Sequence, residues 1–242
     1  MKTDEAVGYP PTDDRVLVIM AKAPRPGAVK TRLAQNIPVE AVTGLYRCLL
    51  DDTLSLAHSL ENTKVVIMCP TSDVRELAQL AGDATAIVAQ RGEGLAAGLT
   101  SVFAQFAASG RRRVIAFNSD SPHLPVSVLT SAFEMLTVHD LVVGPTDDGG
   151  YYLVGAKASH PALFEGDGMG TRTALDGLLT RADRLQLSVG FADSFYDVDL
   201  EDDLTRLAGE LQLAPARAPR TAAWLRRWQQ VAGPLQNAAG EL

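Results

Sequence analysis

Short apolar runs alternating with amphipathic stretches constrain this chain more than any other feature. Val16-Leu17-Val18-Ile19-Met20 contains no polar residue, which suits a strand covered on both faces. Lys64–Cys69 (KVVIMC), Thr85–Ala89, Arg113–Asn118 (RVIAFN), Asp140–Gly144 (DLVVG), Tyr151–Ala156 (YYLVGA) and a segment near Leu187–Phe191 read as further strands. Pro38 opens a long helical pattern in which Val39, Val42, Leu45, Leu49, Thr53, Leu56 and Leu60 recur at three- and four-residue steps. Other helices are expected from a Thr71 or Ser72 cap to about Leu80, over about Leu95–Ala108, from Pro125 to about Leu136, over about Thr171–Arg181, and from an Asp197 or Asp199 cap through Leu211. Strands that alternate with helices predict an α/β fold: a three-layer α/β/α sandwich around a mainly parallel, Rossmann-like sheet.

Composition narrows the class. The chain has 242 residues, 46% apolar and 21% charged, which suits a globular protein and excludes wholesale disorder, collagen and coiled coil. Its net charge of −7 argues against a nucleic-acid partner, which would ask for a basic face. Cys48 and Cys69 are too few for a disulfide framework or a four-cysteine zinc site and read as free thiols. There is neither a membrane-length apolar run nor a signal-peptide core, so a cytoplasmic protein without a membrane partner is expected. Residues 1–14 read as a tail and 15–211 as one domain. Residues 212–242 read as an extension, in which a loose connector precedes a short helix (TAAWLRRWQQV). Trp224 and Trp228 would share a face of that helix and dock on the body or on a second copy of the chain in a homodimer.

Four polar clusters fall at expected strand ends, where open parallel sheets place their ligands. The first is Ala21-Lys22-Ala23-Pro24-Arg25-Pro26-Gly27-Ala28-Val29-Lys30-Thr31-Arg32-Leu33, a basic loop in an acidic chain. Gly27 permits a tight turn, and Lys22, Arg25, Lys30 and Arg32 fit a polyphosphate, although the GxxxxGK[ST] spacing is absent and a solvated basic loop is the alternative. The second is Asn118-Ser119-Asp120-Ser121-Pro122. A carboxylate at an apolar strand end is costly without a partner, and a phosphate-bound Mg²⁺ (or Mn²⁺) would supply one; a turn-fixing or capping Asp120 is the alternative. The third, Gly144–Tyr152, carries Thr146, Asp147, Asp148, Gly149 and Gly150, which either form an acidic glycine turn or receive an acceptor, with Asp147 or Asp148 orienting it, taking a proton or assisting the metal. The fourth is Tyr196-Asp197-Val198-Asp199-Leu200, whose two carboxylates share one face of an extended segment and so can meet one ion, unless Asp199 caps the next helix. Gly92 and Gly94 punctuate a further loop, and His123, near Asp120 in the chain, either lines the site or, as it reads, is exposed. GxSxG, HExxH and CxxC patterns are all missing, so serine-hydrolase, zinc-protease and thiol-redox chemistries lack their parts.

With these motifs the chain resembles the bacterial DUF2064 group, also called rSAM/selenodomain-associated transferase 1, of GT-A fold. The resemblance spans roughly residues 15–210 and rests on MAKAPRPGAVKTRL, NSDSP, GPTDDGGYYLVG and YDVDLEDDL. The group is glycosyltransferase-like and similar to the 2-phospho-lactate and phosphoenolpyruvate guanylyltransferases, whose K-[ST]-R-L segment matches Lys30–Leu33. It implies a divalent metal held by Asp120 with Asp197 or Asp199. The chain departs from the group at Asn118-Ser119 (commonly Gly-Thr), Ser121-Pro122 (Cys-Pro) and Gly168-Met169-Gly170-Thr171 (Trp-Ser-Thr-Pro), the last in the acceptor region.

Residues and resemblance together predict a Mg²⁺-dependent nucleotidyltransferase. Ala21, Lys22, Ala23, Arg25, Gly27, Lys30, Arg32, Gly92, Gly94 and Ser119 would bind a nucleoside triphosphate. Lys30, Asp120 and Asp148 would be catalytic, and Thr146, Asp147, Gly149, Gly150, Thr171 and Arg172 would receive a small acceptor carrying phosphate, phosphonate or carboxylate. A glycosyltransferase using a nucleotide-sugar donor and a non-catalytic nucleotide sensor are the alternatives.

Overall fold

The computed structural model describes residues 14–108, 113–166 and 170–232. The expected tail (1–13), Gly168 and Met169 of the acceptor region, and the last residues of the expected extension (233–242) lie outside them.

One seven-stranded sheet runs in the order β3-β2-β1-β4-β6-β5-β7. Its strands are β1 (Arg15–Met20), β2 (Thr63–Cys69), β3 (Ala86–Ala89), β4 (Arg113–Asn118), β5 (Leu141–Pro145), β6 (Tyr151–Ala156) and β7 (Val189–Phe191). The pairs β1·β2, β1·β4, β2·β3 and β5·β7 are parallel. β6 runs antiparallel to both β4 and β5, because a short acidic turn returns the chain directly beside β5. The interior strand β1 is fully buried from Val16 to Ile19, as its unbroken apolar run requires.

The helices are α1 (Val39–His58), α2 (Val74–Ala81), α3 (Gly94–Ala108), α4 (Val126–Val138), α5 (Ala174–Arg184), α6 (Glu201–Leu213) and α7 (Pro219–Ala232). Leu17, Ile19, Ile67 and Phe117 point into a core shared with Leu50, Leu54, Leu77, Leu129 and Phe133 of α1, α2 and α4. Val16, Val18, Val66 and Val114 point the other way, onto Leu99, Phe103 and Leu178 of α3 and α5. Successive strand residues therefore feed opposite layers, and the expected α/β/α sandwich is the fold.

Several local expectations change. No α-helix follows the basic loop until Val39; a single 3-10 turn, Leu33–Gln35, intervenes, so any anion there must rely on side chains rather than a helix terminus. Thr71 and Ser72 do not cap α2; they form a 3-10 turn with Asp73. α5 starts at Ala174, whose N–H closes a turn on the Thr171 carbonyl at 3.0 Å just before it. The expected connector after residue 212 is a 3-10 turn, Pro215–Arg217, that leads through the fully buried Ala218 into α7. Ala218, Ala222 and Leu225 share one apolar cluster with Leu45 and Leu49 of α1 and Leu204 and Leu207 of α6. Asp52 of α1 accepts the backbone N–H groups of Arg220 and Thr221 at 3.2 and 2.7 Å, which satisfies two orphan donors at the start of α7. Trp224 and Trp228 stack at 5.5 Å and pack against this cluster, with the Trp224 ring nitrogen close to Gly44 of α1. Docking on the body is thus the arrangement found.

Candidate active site

The carboxyl ends of β1 and β4, the β5–β6 turn and the segment leading into α6 meet at one edge of the sheet. Each brings one of the four polar clusters.

Lys30 is the hub. Its backbone lies in the left-handed region (φ 47°), in the same loop as Gly27 (φ 76°), and its side chain is 4% exposed. The ammonium donates to Asp120, just past β4, and to Asp199 at 2.9 Å. Residues separated by 90 and 169 positions are thereby joined through one nitrogen. Burial opposes the Lys30 charge, but the two carboxylates outweigh it and hold the pKa well above the ordinary value. Arg32 also reaches Asp199, at 3.4 Å. Burial pushes the Asp199 carboxyl up, yet Lys30 and Arg32 hold it below its usual range.

Asp197, two residues earlier on the same extended face, makes no ion pair among the described residues. It accepts a 2.6 Å bond from the Asn118 amide, and burial together with the charge of Asp120 pushes its pKa up to about 7 despite Lys30. Asp199 does not cap α6. Asp203, from inside that helix, accepts the N–H groups of Asp199 and Leu200 at 3.0 and 2.7 Å, which frees the Asp199 side chain for Lys30.

Three adjoining hollows line this edge. One of about 630 Å³ is walled by Ala21, Lys22, Gly92 and Gly94, with Gln90, Glu93 and Leu95 completing it. The central one, about 240 Å³, is bounded by Arg32, Asn118, Asp120, Asp148, Gly150, Thr171, Asp197 and Asp199. The third, about 380 Å³, is lined by Arg32, Thr146, Asp147, Asp148, Arg172, Asp197 and Asp199 together with Tyr196 and Arg206. Met20 and Leu95 are common to the first two, and Arg32, Asp148, Asp197 and Asp199 to the last two, so the hollows form one groove.

Some expected nucleotide-binding residues stand elsewhere. The Arg25 guanidinium donates to Asp73 and Glu76, both at 2.8 Å, and to the Ser72 carbonyl at 3.1 Å. It clamps the basic loop to α2 instead of facing the groove. Ala23 donates its N–H to Asp73 at 2.9 Å in the same clamp. Ser119 is buried beneath the groove, where its hydroxyl meets the Tyr46 hydroxyl at 2.9 Å. Gly27 stays in the loop behind Lys30 and lines none of the three hollows.

Around the turn, Asp148 accepts from the Thr146 hydroxyl at 2.6 Å and the Gly150 N–H at 3.1 Å. Gly149 (φ 88°) lies so close to Arg172 that a Cβ there would sit 2.1 Å from the Arg172 carbonyl oxygen. Glycine at 149 therefore seats the Thr171–Arg172 segment beside the turn.

Sequence reasoning missed three residues and misplaced a fourth. Asn118 orients Asp197 and leaves its own buried Oδ1 without a partner in the central hollow. Tyr46 ties Lys22 to Ser119. Arg206 stacks 3.8 Å over the Tyr196 ring and reaches Asp147 at 3.2 Å. His123 is fully buried rather than exposed, its ring centroid 4.8 Å from both Phe195 and Tyr196. Of these only Asn118 lies within a motif, and its strand-end position was the one available signal.

Among the described residues no three Asp, Glu, His or Cys side chains stand close enough to hold a metal as they are arranged. The donor chemistry nonetheless fits a hard cation: Asp120 and Asp199 already share one positive charge, and Asp197 beside them lacks one. Nor, among the described residues, is any helix long and apolar enough to cross a membrane.

The fold is that of the GT-A-like nucleotidyl- and glycosyltransferase class. Residues 53–171 match the family model DUF2064, described as an uncharacterized protein conserved in bacteria, which bears out the family resemblance of the motifs. No protein of curated function matches the chain by sequence. Among solved structures, a protein of Desulfovibrio desulfuricans G20, provisionally named a nucleotide-diphospho-sugar transferase, is similar with TM-score 0.85 and 26% identity over 93% of this chain and 100% of its own. A cytidylyltransferase of Leptospira borgpetersenii shares the fold at TM-score 0.57 and 9% identity, over 95% of this chain and 100% of its own. Rv0371c of Mycobacterium tuberculosis H37Rv, solved as a complex with manganese, does so at TM-score 0.51 and 17% identity, over 81% and 97%.

Proposed function

We propose that this protein is a nucleotide-dependent transferase that moves a nucleotidyl group from a nucleoside triphosphate to a small acceptor and releases pyrophosphate. The observation that carries the reading is the meeting of Lys30, from the loop after β1, with Asp120 after β4 and Asp199 before α6. A groove whose centre gathers Asp120, Asp148, Asp197 and Asp199 beside Arg32, with the buried Lys30 joining Asp120 to Asp199, suits a metal-bridged polyphosphate better than a neutral ligand.

In this reading the nucleoside lies in the hollow bordered by Ala21, Lys22, Gly92 and Gly94, and its phosphates reach the centre beside Arg32 and above the buried Lys30 that holds Asp120 and Asp199. Asp120 and Asp197 would hold Mg²⁺ or Mn²⁺, with Asp199 nearby; the ion would neutralise developing charge on the phosphate oxygens. The acceptor occupies the third hollow. Asp148, on the boundary between centre and acceptor hollow, takes the proton when the attacking oxygen carries one. That oxygen bonds to the α-phosphorus, the bond to the bridging oxygen breaks, and pyrophosphate leaves with the electron pair. Positioning and charge neutralisation supply most of the catalysis in such transfers.

The acceptor hollow favours an anion. Four of its five carboxylates are engaged: Asp147 with Arg206 and Ser194, Asp148 within its turn, Asp199 with Lys30, and Asp203 at the start of α6, which leaves Asp197 for the metal. Arg32 and Arg172 present exposed guanidinium groups to the same space. Phosphate, phosphonate or carboxylate acceptors match those donors.

Transfer of a sugar from a nucleotide-diphospho-sugar is the second reading, favoured by the name of the Desulfovibrio relative. The test is thermal-shift screening of nucleoside triphosphates and nucleotide-sugars with and without Mg²⁺, followed by product analysis. Pyrophosphate release upholds nucleotidyl transfer, nucleoside diphosphate release upholds glycosyl transfer, and binding without turnover upholds a sensor. Absence of Mg²⁺-dependent nucleotide binding, with Asp120→Ala changing nothing, would overturn the reading.

A further inference from the structure

We propose that Lys30 is a tethered counter-ion that closes the metal position, so that the chain accepts a divalent cation only together with nucleotide phosphate. This rests on the reading of the groove as a metal–nucleotide site and adds the order in which its parts are loaded.

The ammonium of Lys30 occupies the space between Asp120 and Asp199 that a bridging cation would need. Its side chain is 4% exposed, so it cannot turn out to water without rearrangement. A free metal ion approaching Asp120 must therefore strip the carboxylate from a buried lysine and leave that charge unpaired, which is a costly state. A metal already bound to a triphosphate brings oxygen anions with it. Lys30 can then exchange a carboxylate partner for a phosphate one, and no buried charge loses its counter-ion at any point. The flexible four-carbon stem and point charge of lysine suit such an exchange, where the rigid fork of arginine would not.

The neighbours are arranged for it. Asp199 is also held by Arg32 at 3.4 Å, so it keeps a cation when Lys30 leaves. Asp197 stands beside Asp120, fixed by Asn118 at 2.6 Å, ready to share an ion once the ammonium has moved. The Asn118 Oδ1, buried without a partner in the central hollow, offers one further oxygen to the ion or its water.

The test is titration of Mn²⁺ alone, by calorimetry and by the electron paramagnetic resonance of free Mn²⁺, into the wild type, Lys30→Gln and Lys30→Met. Folding of each variant is checked by circular dichroism. Without nucleotide, the variants should bind Mn²⁺ about ten-fold or more tightly than the wild type. Addition of ATP, GTP, CTP or UTP in separate runs should tighten Mn²⁺ binding to the wild type about ten-fold or more, beyond the affinity of Mn²⁺ for the nucleotide itself, and should tighten the variants far less. Variants that fold and bind Mn²⁺ alone no more tightly than the wild type overturn the gate. Wild-type binding of Mn²⁺ alone as tight as its binding with nucleotide overturns the gate while leaving the metal–nucleotide reading intact. Failure of the wild type to bind Mn²⁺ with any nucleotide overturns both.

Discussion

Replacing His123 by leucine should make the protein's stability hold up better than the wild type's as the pH falls into mild acid. The imidazole is fully buried against Phe195 and Tyr196, with neither ring nitrogen hydrogen-bonded. Burial first, then the charges of Arg206 and Arg217, lower its pKa to about 3. In the unfolded chain the same group titrates near its ordinary value of about 6.5. Below that pH the unfolded state binds a proton that the native state refuses, so the His123 contribution weakens the fold as pH falls from about 6.5 toward 3, at about 1.4 kcal/mol per pH unit. Between pH 7.5 and pH 5 the loss is about 2 kcal/mol. Asp197 works in the opposite sense. Its folded pKa, raised to about 7, lies above its unfolded value, so the native state takes up a proton first and the fold gains as pH falls from about 7 to 4. That gain opposes the His123 loss over the same interval. Urea unfolding of wild type and His123→Leu at pH 7.5 and pH 5 checks this. Repacking changes both pH values equally and drops out of the difference, so the variant should gain about 2 kcal/mol relative to wild type on acidification. Equal pH responses would refute the claim that this histidine is held neutral.

Three further outcomes follow from particular contacts. Gly149→Ala places a Cβ 2.1 Å from the Arg172 carbonyl at φ 88°, so it should cost about 1–3 kcal/mol in urea unfolding and raise the acceptor KM with little change in nucleotide affinity. Asp52→Ala removes the acceptor for the first N–H groups of α7; it should cost about 1–2 kcal/mol and red-shift the emission of Trp224 and Trp228 as that helix loosens. Arg25→Met should weaken the clamp on Asp73 and Glu76, lowering thermal stability while leaving phosphate affinity close to wild type, since the guanidinium does not face the groove.

What the sequence made legible was whatever leaves a local signature. The buried strands announced themselves through apolar runs such as VLVIM, and α1 through its three- and four-residue steps, because burial on two faces or on one stripe dictates residue type directly. The four polar clusters were legible because a parallel sheet sends its strand ends to one edge, whatever the intervening chain does. Partnership inside the clusters was not. Lys22, Arg25, Lys30 and Arg32 look alike in sequence, yet Arg25 is claimed by Asp73 and Glu76 of a later turn and helix, and Lys30 by carboxylates far down the chain. Charge is a local property, whereas its counter-ion is chosen by the fold. The same holds for Asp199: a carboxylate just ahead of a helix reads as its cap, and only the presence of Asp203 one turn inside, taking both N–H groups, releases Asp199 to the groove. His123 shows the limit from the other side, since a histidine in the irregular segment SDSPHLP has no periodicity by which to read its burial. The segment bearing Asp197 and Asp199 is held from beneath by that buried ring through Phe195 and Tyr196, and from α6 by Asp203. Two anchors unreadable in sequence therefore fix the carboxylates on which the proposed chemistry turns, and loosening either should blur the Asp197–Asp199 pair before it disturbs the sheet.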